Sequence, residues 1–115
     1  MSKIAHSQFG CHEGCSVELT LSLIGQKYKG AILYRLLSEN TLRFSDLWRA
    51  FPEVSQKTLT NQLRALEKDG LIVRTVYPVV PAKVDYRLSE YGKTLANVIY
   101  ELKNWGDNHK QHQQS

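Results

Sequence analysis

Residues 55–88 constrain this chain more than any other stretch. After Ser55, three leucines, Leu59, Leu63 and Leu66, recur at i, i+4 and i+7. That spacing is one narrow stripe along an α-helix. A serine at the start of such a run can accept from the unpaired N–H groups of the first turn. Asp69-Gly70 supplies the glycine that closes a helix in the left-handed conformation. The pattern predicts a helix over Ser55–Asp69. Directly after it, Leu71–Tyr77 and Lys83–Leu88 alternate and are rich in β-branched residues. Both read as strands, with Val84, Tyr86 and Leu88 on one face. Pro78–Ala82, carrying Pro78 and Pro81, is the short loop that makes the pair a β-hairpin.

The rest of the chain arranges itself around this unit. Val17–Ile24 carries Leu19, Leu23 and Ile24 at helical spacing and is ended by Gly25. Lys27–Leu37 follows, with Ile32, Leu33, Leu36 and Leu37 on one helix face, and Ser38-Glu39-Asn40 closes it. Thr41–Phe44 suits a small strand. Ser45 is placed to N-cap a third helix through Ala50, which Pro52 stops. Ser89 is placed to N-cap the last helix, with Glu90 in its first turn and Leu95, Val98, Ile99, Leu102 and Trp105 as its apolar stripe. Two short helices across the Phe51–Ser55 turn, followed at once by a hairpin, describe a winged helix-turn-helix: mainly α with a small β-hairpin wing, an α+β fold. A polar arm over residues 1–14 is expected before a single domain over 15–109, and a polar tail over 110–115.

Length and charge narrow the possible partners. A chain of 115 residues makes one domain with one modest core. The net charge of +4 is unevenly spread. Between Lys27 and Arg87, eleven Lys/Arg stand against six Asp/Glu, so that stretch carries +5 and the flanks about −1. A basic middle is what a polyanion-binding face needs, although a solubilising surface would look similar. No paired carboxylates, Ser/His/Asp set or phosphate-cradling glycine loop suggests catalysis, and no cofactor is implied. Cys11, His12 and Cys15 would need a fourth ligand to hold a metal, with His6 the one near candidate in sequence, so no metal site is expected. Cys11 and Cys15 are too close together to staple a fold. No apolar run approaches the roughly 18 residues of a membrane helix. The first residues lack the apolar core of a secretory signal, so the expectation is a cytoplasmic protein with reduced thiols.

The Ser55–Asp69 helix has the composition of a base reader. Its leucines face a core, which leaves Gln56, Lys57, Thr58, Thr60, Asn61 and Arg64 on the outer side or its flanks. Gln and Asn can bond an adenine edge, Arg and Lys a guanine, and a Thr methyl can touch a thymine methyl. Ser55 and the first N–H groups of the helix favour a phosphate. Lys83 at the base of the hairpin loop, with Arg74 and Arg87 on the strands, could follow a phosphate ribbon, and Arg43 and Ser45 could reach phosphate before the third helix. The partner this chemistry fits is double-stranded DNA. A winged-helix protein-interaction module without DNA remains the alternative at this level.

Longer runs then become recognisable. Cys15-Ser-Val-Glu-Leu-Thr-Leu-Ser-Leu-Ile-Gly-Gln-Lys-Tyr-Lys-Gly resembles the opening of HxlR-type, MarR-like transcriptional regulators. Arg43-Phe-Ser-Asp-Leu, the segment Val54–Ile72 and the segment Arg74–Ser89 are similar to that family's helix-turn-helix and wing, and Tyr91-Gly-Lys-Thr-Leu through Trp105-Gly to its closing helix. The resemblance spans about Cys15–His109. Ser16, Gln26 and Tyr28 depart from the family's usual Pro, Gly and Trp. The resemblance implies a homodimer built from the first and last helices, with Leu19, Leu23, Val98, Ile99, Leu102 and Trp105 at its interface. It implies an inverted-repeat operator, and a small-molecule or oxidant effector sensed in several members at the position of Cys15. A thiol beside a helix N-terminus suits that role, and Cys11 could resolve it or pair across the dimer.

Overall fold

The leucine stripe is what the other elements gather around. The computed structural model describes residues 13–114. Its elements are α1 (Cys15–Ile24), α2 (Lys29–Glu39), β1 (Thr41–Arg43), α3 (Phe44–Ala50), α4 (Gln56–Lys68), β2 (Ile72–Tyr77), β3 (Lys83–Leu88), a 3-10 turn (Gly92–Leu95) and α5 (Ala96–Gln114). The order is that expected of a winged helix-turn-helix, and the fold is mainly helical with a small antiparallel sheet. Leu59, Leu63 and Leu66 are fully buried and meet Ile32, Leu33 and Leu36 of α2, Leu47 of α3, and Leu71, Tyr86 and Leu88 of the hairpin.

Local chemistry fixes the ends of α4. Ser55 Oγ accepts from Thr58 N–H at 3.1 Å. At the other end Gly70 takes φ +78°, a region that a side chain rarely adopts. Its N–H donates to Glu67 O, and Leu71 N–H donates back to Leu66 O, both at 3.0 Å. That pair of bonds is the Schellman closure, and it turns the chain directly into β2.

The sheet has the order β1-β3-β2, all antiparallel. The hairpin register runs from Ile72↔Leu88 to Tyr77↔Lys83, so residues 78–82 form the wing tip. On the other side of β3, Leu42 pairs with Tyr86 and Arg43 with Asp85. β1 thereby ties the start of α3 to the wing.

Four local expectations are corrected. α1 begins at Cys15, two residues before the expected Val17, because the Gly14 carbonyl already accepts from Val17 and Glu18 N–H at 3.0 and 3.2 Å. Cys15 is therefore the first helical residue, not a residue outside the helix. Ser45 does not cap α3. Arg43 occupies the cap position, and the Asp46 carboxylate accepts from its backbone N–H at 3.2 Å, leaving Ser45 in the first turn. Ser89 caps a turn and not the long helix: its Oγ accepts from Gly92 N–H at 2.8 Å and donates to Gly70 O at 2.5 Å. The α-helix proper starts at Ala96. The tight turn lets Gly92 press on β2's approach, where any Cβ would fall 2.0 Å from Leu71 O. Finally, α5 runs on to Gln114, so the stretch expected as a polar tail is helical, with exposed side chains.

α5 lies against α2. Tyr34 meets Tyr100 edge-on at 6.1 Å, and Lys103 Nζ sits 5.8 Å from the centre of the Tyr34 ring. Ile99 is 3% exposed and belongs to the core of its own chain. It is not available to a second copy, as the sequence had suggested. The stripe covers roughly a third of the helix circumference, and α2 covers the edge that carries Ile99 while Val98, Leu102 and Trp105 lie toward the other edge.

Candidate nucleic-acid interface

The outer side of α4 is built by the same periodicity that buries its leucines. Lys57, Asn61, Arg64 and Lys68 are all exposed and recur at i, i+4, i+7 and i+11. At helical spacing this is one ridge, directly opposite Leu59, Leu63 and Leu66. Gln56 and Thr58 flank it at the N-terminal end and are exposed, while Thr60 is half-buried. Thr58 is also held: its Oγ1 accepts from Ser55 Oγ at 3.0 Å. Ser55 thus spends its hydroxyl on the cap. Gln62 turns inward and donates to Lys27 O at 2.8 Å, bracing α4 against the break between α1 and α2. Lys68 was passed over in the sequence, although one more step of the same ridge reaches it.

The wing brings a second group beside the start of α3. Arg43 and Ser45 line one cleft with Pro81, Ala82 and Lys83. Lys83 Nζ stands 4.7 Å from the centre of the Tyr77 ring and 3.9 Å from an Asp85 carboxylate oxygen. Asp85 itself is buried, and its Oδ1 has no hydrogen-bond partner among the described residues. An acidic residue in a strand next to the wing gives no sequence signal of burial. The buried position arises because Arg43 pairs with it from β1 and Thr75 from β2.

Arg74 does not share a face with Lys83 and Arg87. Arg74 is directly opposite Tyr86, while Arg87 is the next residue along β3, so the two side chains leave opposite faces of the sheet. Arg74 Nε lies 3.6 Å from Glu67 Oε1 of α4, on the α4 side. Beneath it, burial raises the Tyr86 hydroxyl pKa above its ordinary value, partly offset by the nearby Arg74 guanidinium. Arg87 lines a cavity at the far end of the hairpin with Leu37, Asn40, Thr41 and Lys93. Strand alternation could have shown that separation from the register alone.

Large apolar side chains also face outward on α1 and on α5. Val98, Leu102 and Trp105 are exposed on α5, Trp105 at 69%. On α1, Leu19 is at the margin of exposure, Leu23 packs half-buried on the core, and Val17 and Leu21, not foreseen, are open. Cys15 is buried at the head of α1. Cys11, His12 and His6 lie outside the described residues. Among the described residues no group of three or more His, Cys, Asp or Glu side chains is placed to hold a metal, and no helix is long and apolar enough to cross a membrane.

Comparison with known proteins bears on this geometry. The model of the HxlR-like helix-turn-helix family matches residues 23–114, from the end of α1 to the end of α5. This chain belongs to that family. Among HxlR-like relatives, the uncharacterised HTH-type transcriptional regulator YdeP of Bacillus subtilis is 49% identical over 98 residues, covering 85% of this chain and 76% of YdeP. The uncharacterised regulator YtcD of the same organism is 51% identical over 94 residues, covering 82% and 74%. Among solved structures, the redox regulator HypR in its reduced form superposes with a TM-score of 0.81 at 40% identity, over 86% of this chain and 97% of HypR. The reduced form of the transcriptional regulator YodB from B. subtilis follows the fold with a TM-score of 0.69 at 35% identity, over 80% and 89%. The protein is a DNA-binding transcriptional regulator of the HxlR/MarR type, and its family is one of regulators, not of enzymes.

Proposed function

We propose that this chain is a homodimeric, sequence-specific regulator that binds an inverted-repeat operator with one α4 in the major groove of each half-site. The observation that carries this reading is the Lys57–Asn61–Arg64 ridge, which stands opposite a fully buried leucine stripe on a helix fixed at both ends. Asn61 and Arg64 are the base readers, with Gln56, Thr58 and Thr60 beside them. Lys57, Arg43, Ser45 and Lys83 serve as phosphate contacts that set register, and Ser55, whose hydroxyl caps α4, orients the first N–H groups of that helix toward a phosphate. Arg74 supports α4 through Glu67. Arg87, at the far end of the hairpin, has the weakest claim. Residues 15–109 are the working domain, and its work on DNA is cytoplasmic; of the arm expected over 1–14, residues 1–12 lie outside the described residues.

The dimer rests on the outward faces of α1 and α5: Leu19, and Val98, Leu102 and Trp105, with Val17 and Leu21 exposed on the other side of α1. A two-fold axis between them would set the two α4 helices about one DNA turn apart, or a multiple of it. The test is binding to duplex DNA from the chain's own upstream promoter against random duplex, over a range of salt. Preference that weakens steeply with salt, and is lost in Asn61→Ala/Arg64→Ala, supports the reading. Equal binding to both duplexes removes the sequence-specific reading, and binding to neither favours a protein-interaction module.

A redox input at Cys15 has two supports. Cys15 heads α1, next to the proposed interface, and two structural relatives are described as a redox regulator and as a diamide-treated form. Oxidation would join Cys15 to a second thiol, with Cys11 the resolving partner in the same or the second chain. Two electrons and two protons would pass to a peroxide or disulfide oxidant. Promoter affinity that changes with oxidant in the wild type and not in Cys15→Ser supports this. An identical response in both removes it.

A further inference from the structure

The exposed stripe on α5 does not end with its apolar residues. Val98, Leu102 and Trp105 are followed by His109 and His112, at i+11 and i+14 from Val98, and both imidazoles are exposed. At helical spacing these five side chains fall within about 80° of one another around the axis. The outward face is therefore apolar in its first half and imidazole in its second. The rings run in series. His109 stacks on the Trp105 indole with centroids 5.0 Å apart and planes at 15°, and His112 follows His109 at 6.5 Å and 28°.

The charges of the neighbouring elements are directed elsewhere. Lys103, Asp107 and Lys110 of α5 line a cleft with Gly30 and Tyr34 of α2, on another side of the helix, and Lys103 Nζ pairs there with Asp107 at 2.7 Å. Of the ionisable groups on α2, Tyr34 meets Tyr100 and Lys29 is buried. Arg35 and Glu39 line a separate cleft with Asp46 and Arg49 of α3. The 3-10 turn, at the far end of α5, carries Lys93, which pairs with Glu90. Glu101 precedes His109 by more than two helical turns. On α1, the other helix of the proposed interface, the acid is Glu18 in the first turn.

Imidazole is the side chain that ordinarily changes charge between about pH 5 and 8. In a separate chain a protonated His109 sits in water over the face of an indole, an arrangement that favours a cation. In a pair that covers Trp105, the same proton would put a charge into a contact made by Val98, Leu102 and Trp105. Removing a charge from water without a partner is unfavourable. Both effects have the same sign: the proton favours the separate chains. Association is then at full strength above the imidazole range and weakens as pH falls through it.

We infer that His109 and His112 make the α5 contact between copies proton-sensitive, so that acidification separates the dimer. This rests on the dimer proposed above and adds a regulatory input independent of Cys15.

The experiment is sedimentation equilibrium of the full chain from about pH 8 down to about pH 5.5, at constant ionic strength and with a reductant present. Wild type is expected to lose about tenfold to a hundredfold in dimer affinity, since each copy brings one His109 and a one-unit preference at each acts twice. His109→Gln, an exposed substitution that cannot take up the proton, should keep the affinity seen at the alkaline end and lose most of the pH dependence. His109→Arg, charged throughout, should be as weak at the alkaline end as wild type is at the acid end. His112→Gln should retain the share of the pH dependence that belongs to His109. The inference is overturned if wild-type dimer affinity does not change with pH. It is overturned if His109→Gln keeps the full dependence, which would assign the proton elsewhere, as to His6 or His12, outside the described residues. It is also overturned if acid tightens the dimer, since an acid such as Glu18 of the second copy would then be receiving the imidazolium. A chain that is monomeric at every pH removes the proposed dimer and this inference with it, whereas a stable dimer indifferent to pH removes the inference alone.

Discussion

α4 and α5 are both amphipathic helices, and their outer faces are opposites. α4 buries its whole apolar stripe within its own chain and shows solvent a ridge of Lys57, Asn61, Arg64 and Lys68. α5 buries Ile99 and leaves Val98, Leu102 and Trp105 outside. The first helix is complete as folded and offers groups that pair with an anion. The second is incomplete, because large apolar side chains gathered on one exposed face stay in water unless another surface covers them. In a small domain the two needs separate onto different helices. On the reading proposed above, one surface meets a ligand of opposite charge and the other a second copy of the chain.

The sharpest way to break this contrast is to charge the outer face of α5. Leu102→Glu with Trp105→Glu should give a folded monomer in sedimentation. Losing the linked second half-site should weaken promoter binding by about 10²–10⁴-fold. A variant that stays dimeric would show that the exposed apolar face of α5 is not the interface.

The inner face of α4 comes next. Leu63→Ala removes a fully buried side chain from between α2 and the hairpin, and should cost about 2–5 kcal/mol in denaturant unfolding. The equivalent truncation at exposed Leu102 should cost far less in the monomer. If the two costs are similar, the division between a finished and an unfinished helix is wrong.

The outer face of α4 should respond in binding and not in stability. Arg64→Ala or Asn61→Ala is expected to lose about 1–3 kcal/mol and to relax preference at one base position. Lys57→Ala should weaken all sequences alike and lower the salt slope by about one unit. Reversal of these two behaviours would exchange the roles of reader and phosphate contact. Ser55→Ala should cost about 1 kcal/mol of stability through the lost cap at Thr58 N–H.

The smallest effect is alkaline. The pKa of Tyr86 is raised by burial, so folding favours its protonated form. Its contribution is complete below the ordinary tyrosine pKa and is lost as pH rises through the raised one. Tyr86→Phe should therefore flatten the fall in stability above about pH 10. An unchanged slope would assign that fall to other groups.

What the sequence determined by itself was whatever depends on neighbours within a turn or along a strand. The leucine stripe, the Ser55 cap, the Gly70 stop and the alternation of Leu71–Tyr77 and Lys83–Leu88 are interactions between residues close together in the chain. They fix α4 and the wing before anything packs. The ridge of Lys57, Asn61 and Arg64 was legible for the same reason, being the other side of that stripe. Tertiary structure decided everything that turns on which surface meets which. α2 took Ile99 out of the stripe on α5 and left Leu102 and Trp105 outside. The pairing of β1 with β3 buried Asp85 and made Arg43 the cap of α3 in place of Ser45. The close approach of Gly92 to the Leu71 carbonyl accompanies the tight turn that precedes α5. These are contacts between residues distant in sequence. Periodicity can say that a face is apolar, but only packing says whether the chain covers that face itself or leaves it for a partner.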